Sequence, residues 1–186
     1  MNFLKRIALS IALTAFVVTG FGVLQDASAT DSTLSKAAQY CAKTGGVAMT
    51  GIPYYGTNGG DPLQLAGSAG FCQYTAKDSS QIYVLLSTLY ATRPSLASTA
   101  YYAKVKAGQC NGNPASCYCT LLGGSDQFGG TNGAGGGWVF DANFSNVLEA
   151  CIFPDLSSID SWGLLYHSAG IIRGKNLSNV LRYKNP

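Results

Sequence analysis

The residues able to do chemistry are few and dispersed. His167 is the sole histidine, and no motif sets an acid or a nucleophile at a fixed spacing from it, so general acid–base or triad work is not expected of it. Its place in the last turn of a helical pattern suits a surface or capping role, where its cation would favour the helix dipole. A metal site would need several histidines or free thiolates; none is expected, and no cofactor is implied. Cys117-x-Cys119 lacks the Cys-x-x-Cys redox spacing. Two carboxyls about 5–9.5 Å apart in a cleft can hydrolyse a glycoside, and Glu149 with Asp160 is the pair that would serve. The alternative is structural: Asp155 shapes a Pro-Asp turn and Asp160 lies in the first turn of a helix. No serine stands in a Gly-x-Ser-x-Gly elbow.

Recognition is better supplied than catalysis. Gly123 to Gly137 holds eight glycines in fifteen residues without the Lys-Ser/Thr ending of a phosphate loop or a dinucleotide fingerprint. It reads as a hairpin tip flanked by Phe128 and Trp138, of the kind that closes over a partner. The turn-rich stretch Gly51 to Gly70 carries Tyr54 and Tyr55 and stands at the equivalent place upstream. If both loops emerge on one side, Tyr54, Tyr55, Asn58, Phe128, Asn132 and Trp138 make an aromatic and amide rim, the candidate binding surface.

Those loops are held by two similar runs of elements. Tyr40-Cys41 precedes Gly45-Gly46 as Tyr118-Cys119 precedes Gly123-Gly124; Cys72 matches Cys151, Tyr83 falls at the place of Trp162, and Gly56-Thr57-Asn58-Gly59 recurs as Gly130-Thr131-Asn132-Gly133. Such self-similarity indicates duplication. The first unit reads as a helix from Thr30 to Lys43, strands at Val47 to Thr50 and Phe71 to Tyr74, and a helix on which Ile82, Leu85, Leu86 and Leu89 form one stripe. A further helix, Ser95 to Lys106, leads to the join. The second reads as a helix from Pro114 to Leu122, strands near Trp138 to Phe140 and Ala150 to Phe153, and a helix from Ser158 to Ser168 with Trp162 in its core. Ile171 to Pro186 is a further strand or a loose arm. The fold class is therefore α+β, two tandem disulfide-stapled repeats, each helix, short antiparallel strands with a long Gly-rich loop, helix. The units span residues 30–107 and 108–186. Six cysteines allow fifteen pairings, from which the repeat selects Cys41 with Cys72 and Cys119 with Cys151, leaving Cys110 for Cys117. Cys117 and Cys119 point about 200° apart on a helix, as two different partners require.

The second unit resembles a family of small bacterial envelope proteins, a domain of unknown function carrying the label hemolysin. The pattern Asn-Pro-Ala-Ser-x-Tyr-Cys, Gly-Gly, Cys-x-Phe-Pro-Asp-Gly-Ser and a tryptophan is met by Asn113 to Ser116, Tyr118, Cys119, Gly123, Gly124, Cys151, Phe153, Pro154, Asp155, Ser157 and Trp162. Leu156 departs from it, standing in place of glycine, and Ile159 stands in place of a cysteine whose partner is also missing. The resemblance implies an exported α+β module with no established catalytic residues.

Lys5 and Arg6, the apolar run Ile7 to Leu24, and Ala27-Ser28-Ala29 read as a signal peptide over residues 1–29, leaving no stable membrane span after cleavage and a periplasmic or secreted product in which disulfides persist. Of 12 basic and 9 acidic residues, cleavage removes Lys5 and Arg6, and Asp26, leaving 10 and 8. No clustered basic face remains for nucleic acid. The expected function is an exported, non-enzymatic binding protein, an inhibitor or immunity-type partner of a cell-wall-active enzyme. The alternatives are a cell-wall or glycan-binding module and a small hydrolase using Glu149 and Asp160. The partner is thus an envelope or secreted protein, or a cell-wall glycan.

Overall fold

Along Phe71-Cys72-Gln73-Tyr74 alternate residues meet different neighbours: Cys72 and Tyr74 join one buried cluster and Phe71 another. This period of two is what a sheet covered on both faces requires. The computed structural model describes residues 26–126 and 135–186. Phe128, Asn132 and residues 1–25 of the expected leader lie outside them. The helices are α1 (Asp26–Lys43), α2 (Leu86–Tyr90), α3 (Leu96–Ala103), α4 (Pro114–Leu121) and α5 (Ser161–Ser168), with a 3₁₀ turn at Leu177–Asn179. The strands are β1 (Val47–Tyr55), β2 (Leu63–Gln64), β3 (Ala69–Thr75), β4 (Gln81–Leu85), β5 (Gly136–Val139), β6 (Val147–Leu148), β7 (Ala150–Ile152) and β8 (Ser158–Asp160). No helix among the described residues is long and apolar enough to cross a membrane.

The strands form one antiparallel sheet in the order β6-β5-β1-β3-β4-β8-β7, with β2 on the end of β1. β6 and β7 stand at opposite ends of that order, yet only Glu149 separates them in the chain. The sheet must therefore curl until its ends nearly meet. Inside the curl Phe71, Tyr83, Phe140, Leu148 and Ala150 are buried. Tyr83 stacks on Phe140 at 5.3 Å, and Phe71 meets the edges of Phe140 and Trp138 at 5.8 and 5.3 Å, separations typical of favourable ring pairs. On the outer face Cys72, Ile82, Val84, Cys151 and Ile159 lie beneath the helices, with Leu164, Leu177 and Leu181.

All three disulfides form as expected: Cys41 with Cys72, Cys110 with Cys117, Cys119 with Cys151. Two of them bind a helix to a strand, α1 to β3 and α4 to β7. Beside each lies a glycine, Gly46 or Gly124, whose amide donates 2.9 Å to the carbonyl of the helical cysteine. A Cβ at either glycine would collide with both sulfurs of the adjacent bridge. The strands of residues 30–107 and 108–186 nevertheless share one sheet, since β1 pairs with β5 and Val84 of β4 faces Ile159 of β8. Ile159, where the resemblance expects a cysteine, is fully buried in that shared core.

Four readings are corrected. Gln81–Leu85 is strand rather than helix, because five residue pairs tie it to β3; only Leu86–Tyr90 is helical. Ser158–Asp160 is likewise a strand before α5. A stripe of Ile and Leu fits either period when short, and cross-strand pairing decided it. The C-terminal tail is neither strand nor loose arm: Leu177, Val180 and Leu181 are buried, and Arg182 donates its amide to the Leu89 carbonyl while its guanidinium covers the Tyr90 ring at 4.0 Å. Trp162 is half-buried rather than a core residue, because its indole turns toward a carboxylate.

Candidate functional site

That carboxylate is Glu149, at the closure of the sheet. Asn113 caps α4, its side-chain oxygen accepting from the amides of Ala115 and Ser116 at 3.0 and 3.3 Å, with Pro114 in the first helical position; this is a favoured helix start. The cap leaves the Asn113 Nδ2 facing Glu149, where it donates to Oε1 at 2.9 Å and to Oε2 at 2.8 Å. From α5 the Trp162 indole N–H donates to Oε2 at 3.1 Å. Glu149 is half-buried and lines a cleft of about 410 Å³ with Thr57, Asn58, Asn113, Phe144 and Ser145. At its side Tyr54 and Phe144 pack edge to face at 4.9 Å, and the Tyr54 hydroxyl donates to Gln64 Oε1 at 2.9 Å.

No family model, curated protein or solved structure matches this chain. What the cleft can do follows from its own atoms. An ionised carboxylate is acceptor-only, and this one is oriented by neutral donors.

The residues expected to form the rim are distributed differently. Tyr54 and Tyr55 lie at the end of β1, not in an irregular loop. As neighbours in a strand they face opposite sides. Trp138 is paired with Pro53, so it shares the face of Pro53 and Tyr55 and turns inward to Phe71. Tyr54 instead meets Phe144, and Asn58 joins the cleft wall. Of the expected set, Tyr54 and Asn58 come to the cleft. Asn113, Phe144 and Trp162 belong there unexpectedly. An Asn-Pro helix start signals the first of these; nothing in the sequence signals that its amide reaches a residue 36 positions away.

A larger hollow, about 870 Å³ beside the Cys110–Cys117 loop, is lined by residues such as Ala107, Gln109, Pro114, Tyr118 and Leu165 and holds no charged side chain. It offers volume without chemistry. Among the described residues no cluster of His, Cys, Asp and Glu could hold a metal ion.

Asp160 is buried and caps α5, accepting from the Gly163 amide at 3.0 Å. Burial pushes its pKa up to about 6 against that bond and the charge of Arg173, while Glu149 alone of the two lines the cleft. His167 is buried rather than exposed, stacked on Tyr101 at 3.7 Å. Its ring nitrogens have no well-formed hydrogen bond. Burial first, then the Lys104 charge, pushes its pKa down to about 4, the Tyr101 backbone opposing too weakly to offset them. The ring is therefore a neutral core plate at pH 7.

Proposed function

We propose that this chain is an exported, non-enzymatic binding protein whose recognition site is the Glu149 cleft, and that its partner is an envelope or secreted protein such as a cell-wall-active enzyme that it restrains. The observation carrying this reading is the cleft itself. One carboxylate, held by Asn113 and Trp162, stands among hydroxyl and amide side chains and beside two aromatic rings, a composition suited to holding a ligand by hydrogen bonds and ring contact. Export is supported by three disulfides among the described residues. The same reading takes the halves as diverged copies, related to the envelope family that the second half resembles; the matched stations of Gly46 and Gly124 support it.

Immobilised mature chain should retain a specific protein from envelope or secreted fractions, released by excess soluble chain. Phe144→Ala should weaken retention at least about tenfold, as loss of a buried aromatic contact does, with little change in Tm because Phe144 is 41% exposed. A second reading, glycan binding, is favoured by the Phe144 ring and the Thr57 and Ser145 hydroxyl side chains in the cleft lining. Retention of no protein, together with sedimentation on cell-wall polymer, would replace the first reading with the second.

A further inference from the structure

Glu149 sits half out of water and, among the described residues, accepts from two neutral groups, the Asn113 amide and the Trp162 indole. Those donors come from the cap of α4 and the first turn of α5, so the carboxylate is aimed before any ligand arrives. Such preorganisation reduces what binding must spend on ordering. A carboxylate has about four acceptor positions. Two donor groups occupy part of that capacity, and Glu149 lines the cleft beside one of them, Asn113.

We infer that the cleft receives the side chain of a lysine or arginine from the partner protein, its cation seated on Glu149. This rests on the binding-protein reading and names the group recognised. An ammonium carries three N–H donors and a guanidinium five, neither with an acceptor. The same cleft is lined by Thr57, Asn58 and Ser145, whose side chains carry hydroxyl and amide groups. An anion would meet an unneutralised carboxylate, and a sugar would leave that charge uncompensated. The Tyr54–Phe144 pair adds ring surface beside the cleft, where a cation gains further attraction. A volume of about 410 Å³ is ample for one long side chain.

The isotope-labelled chain is titrated with N-acetyl-lysine methylamide, with its arginine counterpart, with the uncharged norleucine analogue and with N-acetylglucosamine, each to about 50 mM, following the Trp162 indole and Asn113 amide signals. The lysine or arginine probe should give saturable shifts, the norleucine analogue none, and Glu149→Gln should weaken the cation at least about tenfold. Equal response to norleucine, saturation by N-acetylglucosamine alone, or no saturation by either cation overturns the inference without using any variant. If cations saturate but no protein is retained by the immobilised chain, the protein source is overturned and a small cationic ligand takes its place. If a protein is retained equally well by Glu149→Gln, the cation seat falls and the protein-binding reading stands.

Discussion

Between β3 and β4, Ser79 holds φ at +65°, Asp78 accepts from the Ser80 amide at 3.0 Å, and the Ala76 amide donates to the Ser80 carbonyl. Between β7 and β8, Leu156 holds φ at +61°, Asp155 accepts from the Ser157 amide at 3.1 Å, and the Phe153 amide donates to the Ser157 carbonyl. The hairpin turn is the same, a tight turn closed by a left-handed residue. Its surroundings differ. Asp78 is fully exposed, whereas Asp155 also accepts from the Leu96 amide at 2.8 Å and Ser157 Oγ accepts from the Ala97 amide at 2.9 Å. The second turn thus adds acceptors for the first two amides of α3, a helix from the other half of the chain whose own cap is Ser95. Burial works to raise Asp155, yet the bonds from Ser157 and Leu96 outweigh it and hold its pKa below the usual value. The first turn is tied to the rest of the chain through Ser80, whose Oγ accepts from the Gly174 amide at 3.0 Å, whereas in the second both Asp155 and Ser157 accept from α3.

The comparison can be tested most severely at the glycines beside the disulfides. Gly46→Ala and Gly124→Ala each force a Cβ into both sulfurs of a bridge, and overpacking of a dense site costs about 3 kcal/mol. Denaturant unfolding should show both losses at similar size; tolerance of alanine at one site alone would end the equivalence of the two stations. At the turns the expectation is asymmetry. Asp155→Ala should cost about 1–2 kcal/mol, as loss of a helix cap does, while Asp78→Ala should leave the unfolding midpoint nearly in place. Equal effects would mean that the contact with α3 contributes nothing. The smallest change is a gain. Leu156→Gly and Ser79→Gly each relieve a left-handed backbone, offset by the greater freedom of glycine when unfolded, so each should stabilise by about 0.5–1 kcal/mol. Leu156 should gain more, being bulkier and 75% exposed, with little packing to lose. Destabilisation at both sites would show that the side chains matter more than the backbone strain.

The internal repeat is sufficient, from sequence, to pair the cysteines, because it sets Cys41 and Cys72 at the places of Cys119 and Cys151 and leaves Cys110 for Cys117. Leu156 stands where the resemblance expects a glycine, and its φ of +61° is one that glycine adopts without strain. The strand identity of Gln81–Leu85 was hidden, since a five-residue apolar run serves a helix or a buried strand equally until its neighbours are known. Nothing local announces that Tyr101 will stack on His167 and bury it. The cleft was hidden for the same reason. Asn113, Glu149 and Trp162 are each legible singly, as a cap, a carboxylate and an aromatic. The β7–β8 hairpin carries Trp162 to Glu149, Ser161 donating its amide to the Glu149 carbonyl at 2.9 Å, and the Cys119–Cys151 bridge holds α4, with Asn113 at its start, against β7; such contacts are set by topology, which local residue preferences do not encode.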